Sequence, residues 1–398
     1  MKKAALTVTA GILLFLLAWV PCGAMTQDGA CQGSEADLAS RYSGFGFNLY
    51  PEVLKAEKGK NVFISPASIA IALAMTYNGA ARETQSEMAD VLGLKGLGID
   101  KVNEENRKLL DDLRKADPSV TLEIANSLWA RKGLTLKPEF VKRNKEFFGA
   151  EVSNELVASA INAWVSKSTK GKITSIIDRI ENDVILILVN AIYFKGTWTA
   201  KFDKALTKPM DFATARGAKK VPMMMQKGKY LYYSDRAFQA VALPYGNKRF
   251  FMYVFLPSEQ STLGEFHGAL TFENWSEWTH SLKSAQGTLF IPRFKCEYST
   301  ALNDSLKALG MKKAFGANAD FSEMVSGKAF ISKVIHKTFV EVNEEGTEAA
   351  AVTAVLVARG APMGEEKPFV FKADRPFFFA IVDRKTQMPL FMGSIVNP

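Results

Sequence analysis

The residues able to do acid–base or nucleophilic chemistry are few and scattered. The chain of 398 residues holds three histidines, His267, His280 and His336, and three cysteines, Cys22, Cys31 and Cys296. No histidine stands in a zinc-binding spacing such as H-E-x-x-H, the cysteines lack metal-site spacing, and neither a G-x-S-x-G elbow nor a P-loop occurs. Gly171-Lys172-Ile173-Thr174 lacks the earlier glycine of a phosphate cradle, and Gly93, Gly96 and Gly98 run in the wrong order for a dinucleotide fingerprint. The pattern argues against a hydrolase or transferase, and no metal or cofactor is expected. One segment is unusual in another way. From Glu344 to Pro362 the chain is dominated by small and β-branched residues, with no turn chemistry after Gly346 until Gly360. Connections longer than about 12–15 residues are usually functional or disordered. A short Glu/Ala-rich helix is the alternative, and the apolar run Val352 to Val357 speaks against it.

The elements that must carry this segment are legible in outline. Ser65-Pro66 supplies an N-cap and a proline for the first helical position, followed by the buried run Ile69 to Met75 and a stop at Asn78-Gly79. Thr84 and Glu87 read as the capping box of a short helix ending at Gly93, and Glu104 to Ala116 as a third helix stopped by Asp117-Pro118. Val120, Leu122 and Ile124 alternate with Thr121 and Glu123 as in a half-buried strand, and Pro138 to Phe148 and Ser159 to Ser168 are again helical. Val184 to Val189, continuing to Phe194, is the run of a strand covered on both faces. Phe250–Leu256, Thr288–Ile291, Lys333–Asn343, Phe369–Lys372, Phe377–Val382 and Leu390–Val396 are further strands, and Ser299–Leu309 reads as a late helix. Helices early and strands late, with no repeat, linker or βαβ alternation, predict an α+β single domain. With 47% hydrophobic and 23% charged residues, the chain is no disordered or disulfide-stapled scaffold.

At the unusual segment the likeness to a known family becomes specific. Glu341-Val342-Asn343-Glu344-Glu345-Gly346-Thr347-Glu348-Ala349-Ala350-Ala351 resembles the hinge of the serpins, a superfamily of serine protease inhibitors. Asn61-Val62-Phe63-Ile64-Ser65-Pro66-Ala67-Ser68-Ile69, Asn190-Ala191-Ile192-Tyr193-Phe194-Lys195-Gly196-Thr197-Trp198, Arg375-Pro376-Phe377 and Pro389-Leu390-Phe391-Met392-Gly393 follow the family's order. The resemblance implies one domain of three β-sheets and eight or nine helices with an exposed reactive-centre loop at about residues 344–366. It implies that a target serine protease attacks that loop, is held as a covalent acyl-enzyme, and is trapped when the cut loop inserts as a new strand into the large sheet. It also implies that Ser65, Ser68, Asn190 and His336 control sheet opening, and that Trp198, Arg293 and Glu344 mark where insertion begins. On a strand, alternate side chains face one way, so Thr347, Ala349, Ala351 and Thr353 form one set and Glu348, Ala350, Val352 and Ala354 the other; the first is small and uncharged. Arg359 is the sole basic residue from Thr347 to Glu366, so a trypsin-like enzyme would cut between Arg359 and Gly360. The family's usual spacing from Gly346 ends one residue later, at Gly360, which leaves Gly360-Ala361 as the alternative, while Leu356 or Val357 would suit an elastase-like enzyme. A non-inhibitory serpin acting as carrier or chaperone is the other reading of the family.

The ends and the charge add expectations about location and partners. Lys2 and Lys3, the apolar stretch Ile12 to Val20, and Cys22-Gly23-Ala24 read as a signal peptide of residues 1–24, with residues 25–398 as a secreted, extracellular serpin domain. The apolar stretch is shorter than the roughly 20 residues needed to span a bilayer, so no membrane association is expected. Cys31 and Cys296 would remain, paired or as independent thiols. Asn274-Trp275-Ser276 and Asn303-Asp304-Ser305 are glycosylation sequons, at Asn274 and Asn303. The formal charge of +9 is modest for the length. Its densest stretch holds Arg131, Lys132, Lys137, Lys142, Arg143 and Lys145 against Glu139 alone. That stretch reads as a solvated face, with an acidic glycan such as heparin as its alternative partner. No zinc-finger, RNP-type or basic-zipper pattern points to nucleic acid, and a monomer is expected.

Overall fold

The computed structural model describes residues 37–347 and 367–398. The leader at 1–24, Cys31, the hinge residues Glu348, Ala349, Ala350 and Ala351, and the bond Arg359-Gly360 lie outside the described residues. The helices are α1 (Leu38–Ala56), α2 (Pro66–Tyr77), α3 (Arg82–Leu92), α4 (Ile99–Arg114), α5 (Pro138–Phe148), α6 (Ala158–Ser168), α7 (Leu263–Ala269), α8 (Phe272–Ser281) and α9 (Asn303–Ala308). The strands are β1 (Val62–Ile64), β2 (Val120–Ala130), β3 (Thr135–Leu136), β4 (Glu151–Ser153), β5 (Leu186–Thr197), β6 (Lys208–Thr214), β7 (Gly217–Ser234), β8 (Phe238–Pro244) and β9 (Phe250–Pro257). They continue as β10 (Lys283–Pro292), β11 (Phe294–Ala301), β12 (Val325–Ser326), β13 (Ile331–Asn343), β14 (Gly346–Thr347), β15 (Phe369–Lys372), β16 (Phe377–Asp383) and β17 (Met388–Ile395).

Three sheets hold these strands. The six-stranded sheet has the order β11-β13-β14-β5-β2-β4, and in it β13 and β5 also pair directly. The nine-stranded sheet has the order β1-β17-β16-β9-β8-β7-β10-β15, with β6 beside β7; β12 and β3 form the third. Aromatic rings lock the first two sheets face to face. Phe194 of β5 meets Phe391 of β17 edge-on at 5.8 Å, and Phe294 of β11 meets Phe379 of β16 at 5.3 Å. Such pairs add roughly 0.5–1.5 kcal/mol each beyond burial. Along β5, Leu186, Leu188, Ile192 and Phe194 join this inner core. Ile187, Val189, Ala191 and Tyr193 point the other way, into a separate cluster with Ile161 and Val165 of α6. β5 is therefore buried on both faces, as its unbroken apolar run requires.

Local chemistry sets most of the helix ends, with departures from the sequence expectations, among them α4, which spans Ile99–Arg114 where Glu104 to Ala116 was expected. Ser65 caps α2 by accepting from the Ser68 N–H at 3.2 Å, and all twelve residues of that helix are buried. Thr84 and Glu87 do not form a capping box: α3 begins at Arg82, the Thr84 hydroxyl accepts from Asp320 N–H at 2.9 Å, and Glu87 accepts from the Lys312 and Lys313 N–H groups at 2.7 Å. These side chains pin a distant turn instead of their own helix. Ser299–Ala301 belong to β11, opposite Lys337, His336 and Ile335 of β13, so the late helix shrinks to Asn303–Ala308. Pairing with a buried strand outweighs local helix preference there. Helix α1, with its Asp37 cap and its buried stripe of Leu38, Tyr42, Phe45, Leu49 and Val53, was not anticipated from the sequence.

Candidate functional site

The site is a seam in the six-stranded sheet. β5 and β13 run parallel and paired from Leu186 and Ile331 up to Tyr193 and Phe339. Beyond that point β14 stands between them, with Gly346 opposite Thr197 on one side and Asn343 on the other, and Thr347 opposite Gly196 and Val342. β14 is antiparallel to both neighbours. The chain from β13 turns back on itself at Glu344-Glu345, and its first two returning residues already occupy the place of a central strand.

Gly346 is required at this turn. Its φ is +148°, and a Cβ there would lie 2.0 Å from the Gly196 carbonyl oxygen and 2.9 Å from Trp198 N. Thr347 is fully buried, and its hydroxyl shares a 2.7 Å hydrogen bond with the Tyr245 hydroxyl. The Tyr245 ring stacks on Trp198 at 4.3 Å, and the Trp198 indole N–H donates to the Asn343 carbonyl at 2.9 Å. Trp198 N donates to the Glu345 carbonyl at 3.0 Å, and Phe202 N to the Glu344 carbonyl at 2.9 Å. The turn is thus held through its backbone as well as its side chains.

Charge closes the same end of the seam. Arg293 pairs with Glu344 Oε1, which also accepts from the Thr207 hydroxyl at 2.6 Å. Burial pushes the Glu344 carboxyl up, but the hydrogen bonds from Arg293 and Thr207 outweigh it and hold the group below the ordinary carboxylate range. Glu345 is held low mainly by its hydrogen bond with Lys201, against burial, with Lys204 adding to it; the ion pairs measure 2.7 and 3.1 Å. The expected group Trp198, Arg293 and Glu344 therefore does assemble. Thr207, Tyr245, Lys201 and Lys204 join it without having been singled out in the sequence, where they stand in ordinary polar surroundings.

A second cluster lies midway along the seam, where β5 and β13 are directly paired at Asn190 and His336. His336 Nε2 accepts from Ser65 N–H at 3.0 Å, which leaves Nδ1 to donate to Asn190 Oδ1 at 2.5 Å. The Asn190 amide nitrogen faces the Ser68 hydroxyl, the Ser68 carbonyl at 3.1 Å and Asn126 Oδ1 at 2.5 Å. Ser65 Oγ donates to the Leu390 carbonyl at 2.6 Å. Ser65, Ser68, Asn190 and His336 are all buried, so the structure brings the four together and adds the buried Asn126 of β2. Burial lowers the His336 pKa to about 3, so the ring is neutral at physiological pH.

The remaining expected residues lie elsewhere. Asn274 is half-buried near the start of α8 and donates to the Ala269 carbonyl at 2.8 Å. The Asn303 carboxamide bridges to β13, donating to Ser332 O at 2.8 Å and accepting from Val334 N at 2.9 Å. Lys137, Lys142, Arg143 and Lys145 sit at or on α5, and Arg131 is committed to the Val184 carbonyl at 2.9 Å. Cys296 is a buried free thiol on β11, its pKa pushed up to about 12 by burial and the neighbouring Glu297. His267 donates or accepts at Ser394 Oγ, 2.8 Å away, and burial lowers its pKa to about 4. Among the described residues no group of three or more His, Cys, Asp or Glu could hold a metal ion, and no helix is long and apolar enough to cross a membrane.

Comparison with known proteins agrees with this geometry. Residues 40–398 match the family described as Serpin (serine protease inhibitor). The chain is 37% identical to human Serpin B8 over 91% of its own length and 100% of that protein. It is 36% identical to the leukocyte elastase inhibitor of Bos taurus, over 91% and 99%. Among solved structures, the thermophilic serpin tengpin in its native state superposes with a TM-score of 0.84 at 30% identity, covering 90% of this chain and 94% of that one. Human thyroxine-binding globulin in complex with thyroxine gives 0.83 at 29% identity, over 91% and 98%.

The two buried histidines set a pH dependence. Each is neutral in the fold and protonates near pH 6.5 when unfolded, so its contribution is fully present above that pH and is lost as pH falls toward 3 for His336 and 4 for His267. At pH 5 the loss for His336 is on the order of 2 kcal/mol. Thermal unfolding between pH 7 and pH 5 should show a falling Tm for the wild type and a smaller fall for His336→Gln, whatever its Tm at pH 7. Equal slopes would remove His336 from the account.

Proposed function

The chain belongs to the serpin family, and on that premise we propose that it is a secreted inhibitor of trypsin-like serine proteases that traps its target by loop insertion. The observation that carries this reading is Thr347, seated antiparallel between two strands that are otherwise parallel partners. Extension of β14 in that register needs no new topology; it only needs β5 and β13 to part.

The register supports the side-chain requirement. Thr347 faces the inner core through Tyr245, so Ala349, Ala351, Thr353, Val355 and Val357 would follow it inward, and Glu348 would face outward. The inward set is small or β-branched and carries no charge. Counting back from Gly346 opposite Thr197, Thr353 would stand between Asn190 and His336, where its hydroxyl could take over the hydrogen bond those two now share. β5 is 12 residues long, so the new strand would reach Leu186 with Val357. Arg359 lies just past that limit, which supports Arg359-Gly360 as the bond at which the protease is left attached. A carrier would have no need for an inward row free of charge, and this favours the inhibitor over the non-inhibitory reading.

The chemistry is acyl transfer carried by the protease. Its serine oxygen attacks the Arg359 carbonyl carbon, the bond to Gly360 nitrogen breaks, and that nitrogen leaves as the amine with a proton from the protease histidine. What remains is an ester between the serine and Arg359. Insertion then competes with water for that ester. About a dozen new strand residues at roughly 1 kcal/mol net per hydrogen bond supply on the order of 10 kcal/mol to drive it.

Two measurements test the reading. Mixed with trypsin, the protein should give a covalent complex stable in denaturing electrophoresis and release a C-terminal peptide beginning at Gly360. Ala349→Arg should be cut at the same bond but trap little protease, because insertion would bury an unpaired guanidinium at a cost of several kcal/mol and raise the chains consumed per protease trapped about tenfold or more. Absence of any covalent complex with trypsin or elastase would sink the inhibitor reading, and a complex with elastase alone, cut at Leu356 or Val357, would move the specificity. Export is tested separately: the protein recovered outside its cells should begin at Met25, and an intact Met1 there would overturn the leader.

A further inference from the structure

The end of the nine-stranded sheet beside the bait segment carries a charge pattern that the trapping mechanism does not use. β7 and β10 are antiparallel and β15 adds to β10 in parallel, placing Lys227, Thr288 and Val370 in one row across three strands. Lys229 and Gln286 form the next row. These side chains point outward, since the alternate residues Leu289 and Phe371 are fully buried. Lys227, Lys229 and Gln286 are exposed, and Val370, at 58%, is the most exposed large hydrophobic residue described. Segments 225–231, 284–290 and 369–372 contain no Asp or Glu.

The described acids near this end are already matched, while Glu365 and Glu366 lie outside the described residues. Glu344 pairs with Arg293, Glu345 with Lys201 and Lys204, and Asp374 with Lys372 and Arg375. Lys227, Lys229 and Lys367 have no ionic partner among the described residues, so the described part of this face presents positive charge around an apolar side chain.

We propose that the outward face of β7, β10 and β15 is a secondary docking surface for an acidic patch on the target protease. The proposal rests on the inhibitor reading above. Its occupant follows from chain length: from Gly360 to Phe369, where β15 starts, the chain spans at most about 30 Å, less than the diameter of an ordinary protease domain. A protease gripping the bait therefore lies over or beside this face. Lys227 and Lys229 raise the encounter rate with an acidic partner through long-range attraction that salt screens, while leaving the trapping step itself unchanged.

An anionic and a cationic trypsin, alike in active-site chemistry and opposite in surface charge, make the test. Association rates are measured with the full chain and with the double variant Lys227→Glu, Lys229→Glu, at low and high ionic strength, alongside the number of chains consumed per protease trapped. At low ionic strength the variant should react about tenfold more slowly with the anionic trypsin. It should react no more slowly with the cationic one, with unchanged Tm and unchanged consumption, and the difference should fade at high salt. Equal rates for wild type and variant with the anionic enzyme, or equal losses with both enzymes, would overturn the docking surface while leaving the inhibitor reading intact. No covalent complex with either trypsin or with elastase would overturn both.

Discussion

The structure depends on one pairing: β5 against β13, parallel from Leu186 and Ile331 to Tyr193 and Phe339, with one register shift between Ile331 and Lys333. β5 is buried on its two faces, β13 carries the partly exposed Lys333, Lys337 and Glu341 on its outer face, and each is flanked on its other edge by an antiparallel partner, β2 or β11. Parallel pairing is slightly weaker per residue than antiparallel pairing. A strand entering this seam would replace one parallel ladder with two antiparallel ones. On the proposed mechanism, the fold is therefore built around a contact that has a better alternative within the same chain.

On that proposal, two kinds of interaction would keep the alternative waiting. Midway along the seam, neutral hydrogen bonds among His336, Asn190, Ser65 and Ser68 tie the paired strands to the start of α2, so parting them means breaking a buried network whose members have no water to turn to. At the open end, ion pairs of Glu344 and Glu345 and the stacking of Tyr245 on Trp198 fix the turn from which the new strand would grow. The first cluster would resist opening; the second would set direction and register once opening starts. A folded state held back by such local contacts is stable kinetically, through the barrier to rearrangement, more than through its depth.

How much of this the sequence discloses depends on whether the information is local. Ser65-Pro66 names the start of α2 because cap and first turn are neighbours in the chain, and the apolar run at Val184 names β5 because burial on both faces leaves no polar position. Thr84 and Glu87 have capping-box spacing, yet their acceptor groups serve backbone donors at residues 312, 313 and 320, a choice made by tertiary neighbours. β7, 18 residues long, is hidden by its own surface, since Gly217 to Lys220 are all exposed and Lys227 and Lys229 disguise a stretch whose alternate residues are buried or half-buried. The four residues Ser65, Ser68, Asn190 and His336 could be named in advance only through family likeness. Their union needs β1, α2, β5 and β13 to meet, and no spacing along the chain encodes that. The same holds for Tyr245 and Thr207, which reach the hinge from separate loops.

The central claim is that the uncut fold lies above a more stable arrangement with the loop inserted. Its most direct test is the thermal unfolding of the intact chain beside the chain cut once in the bait segment and left with both fragments associated. The account predicts that cutting raises Tm by on the order of 20 °C, matching about a dozen new strand residues in the seam. An unchanged or lowered Tm after the cut would mean that the β5–β13 pairing is the final state of this sheet, and would contradict the account.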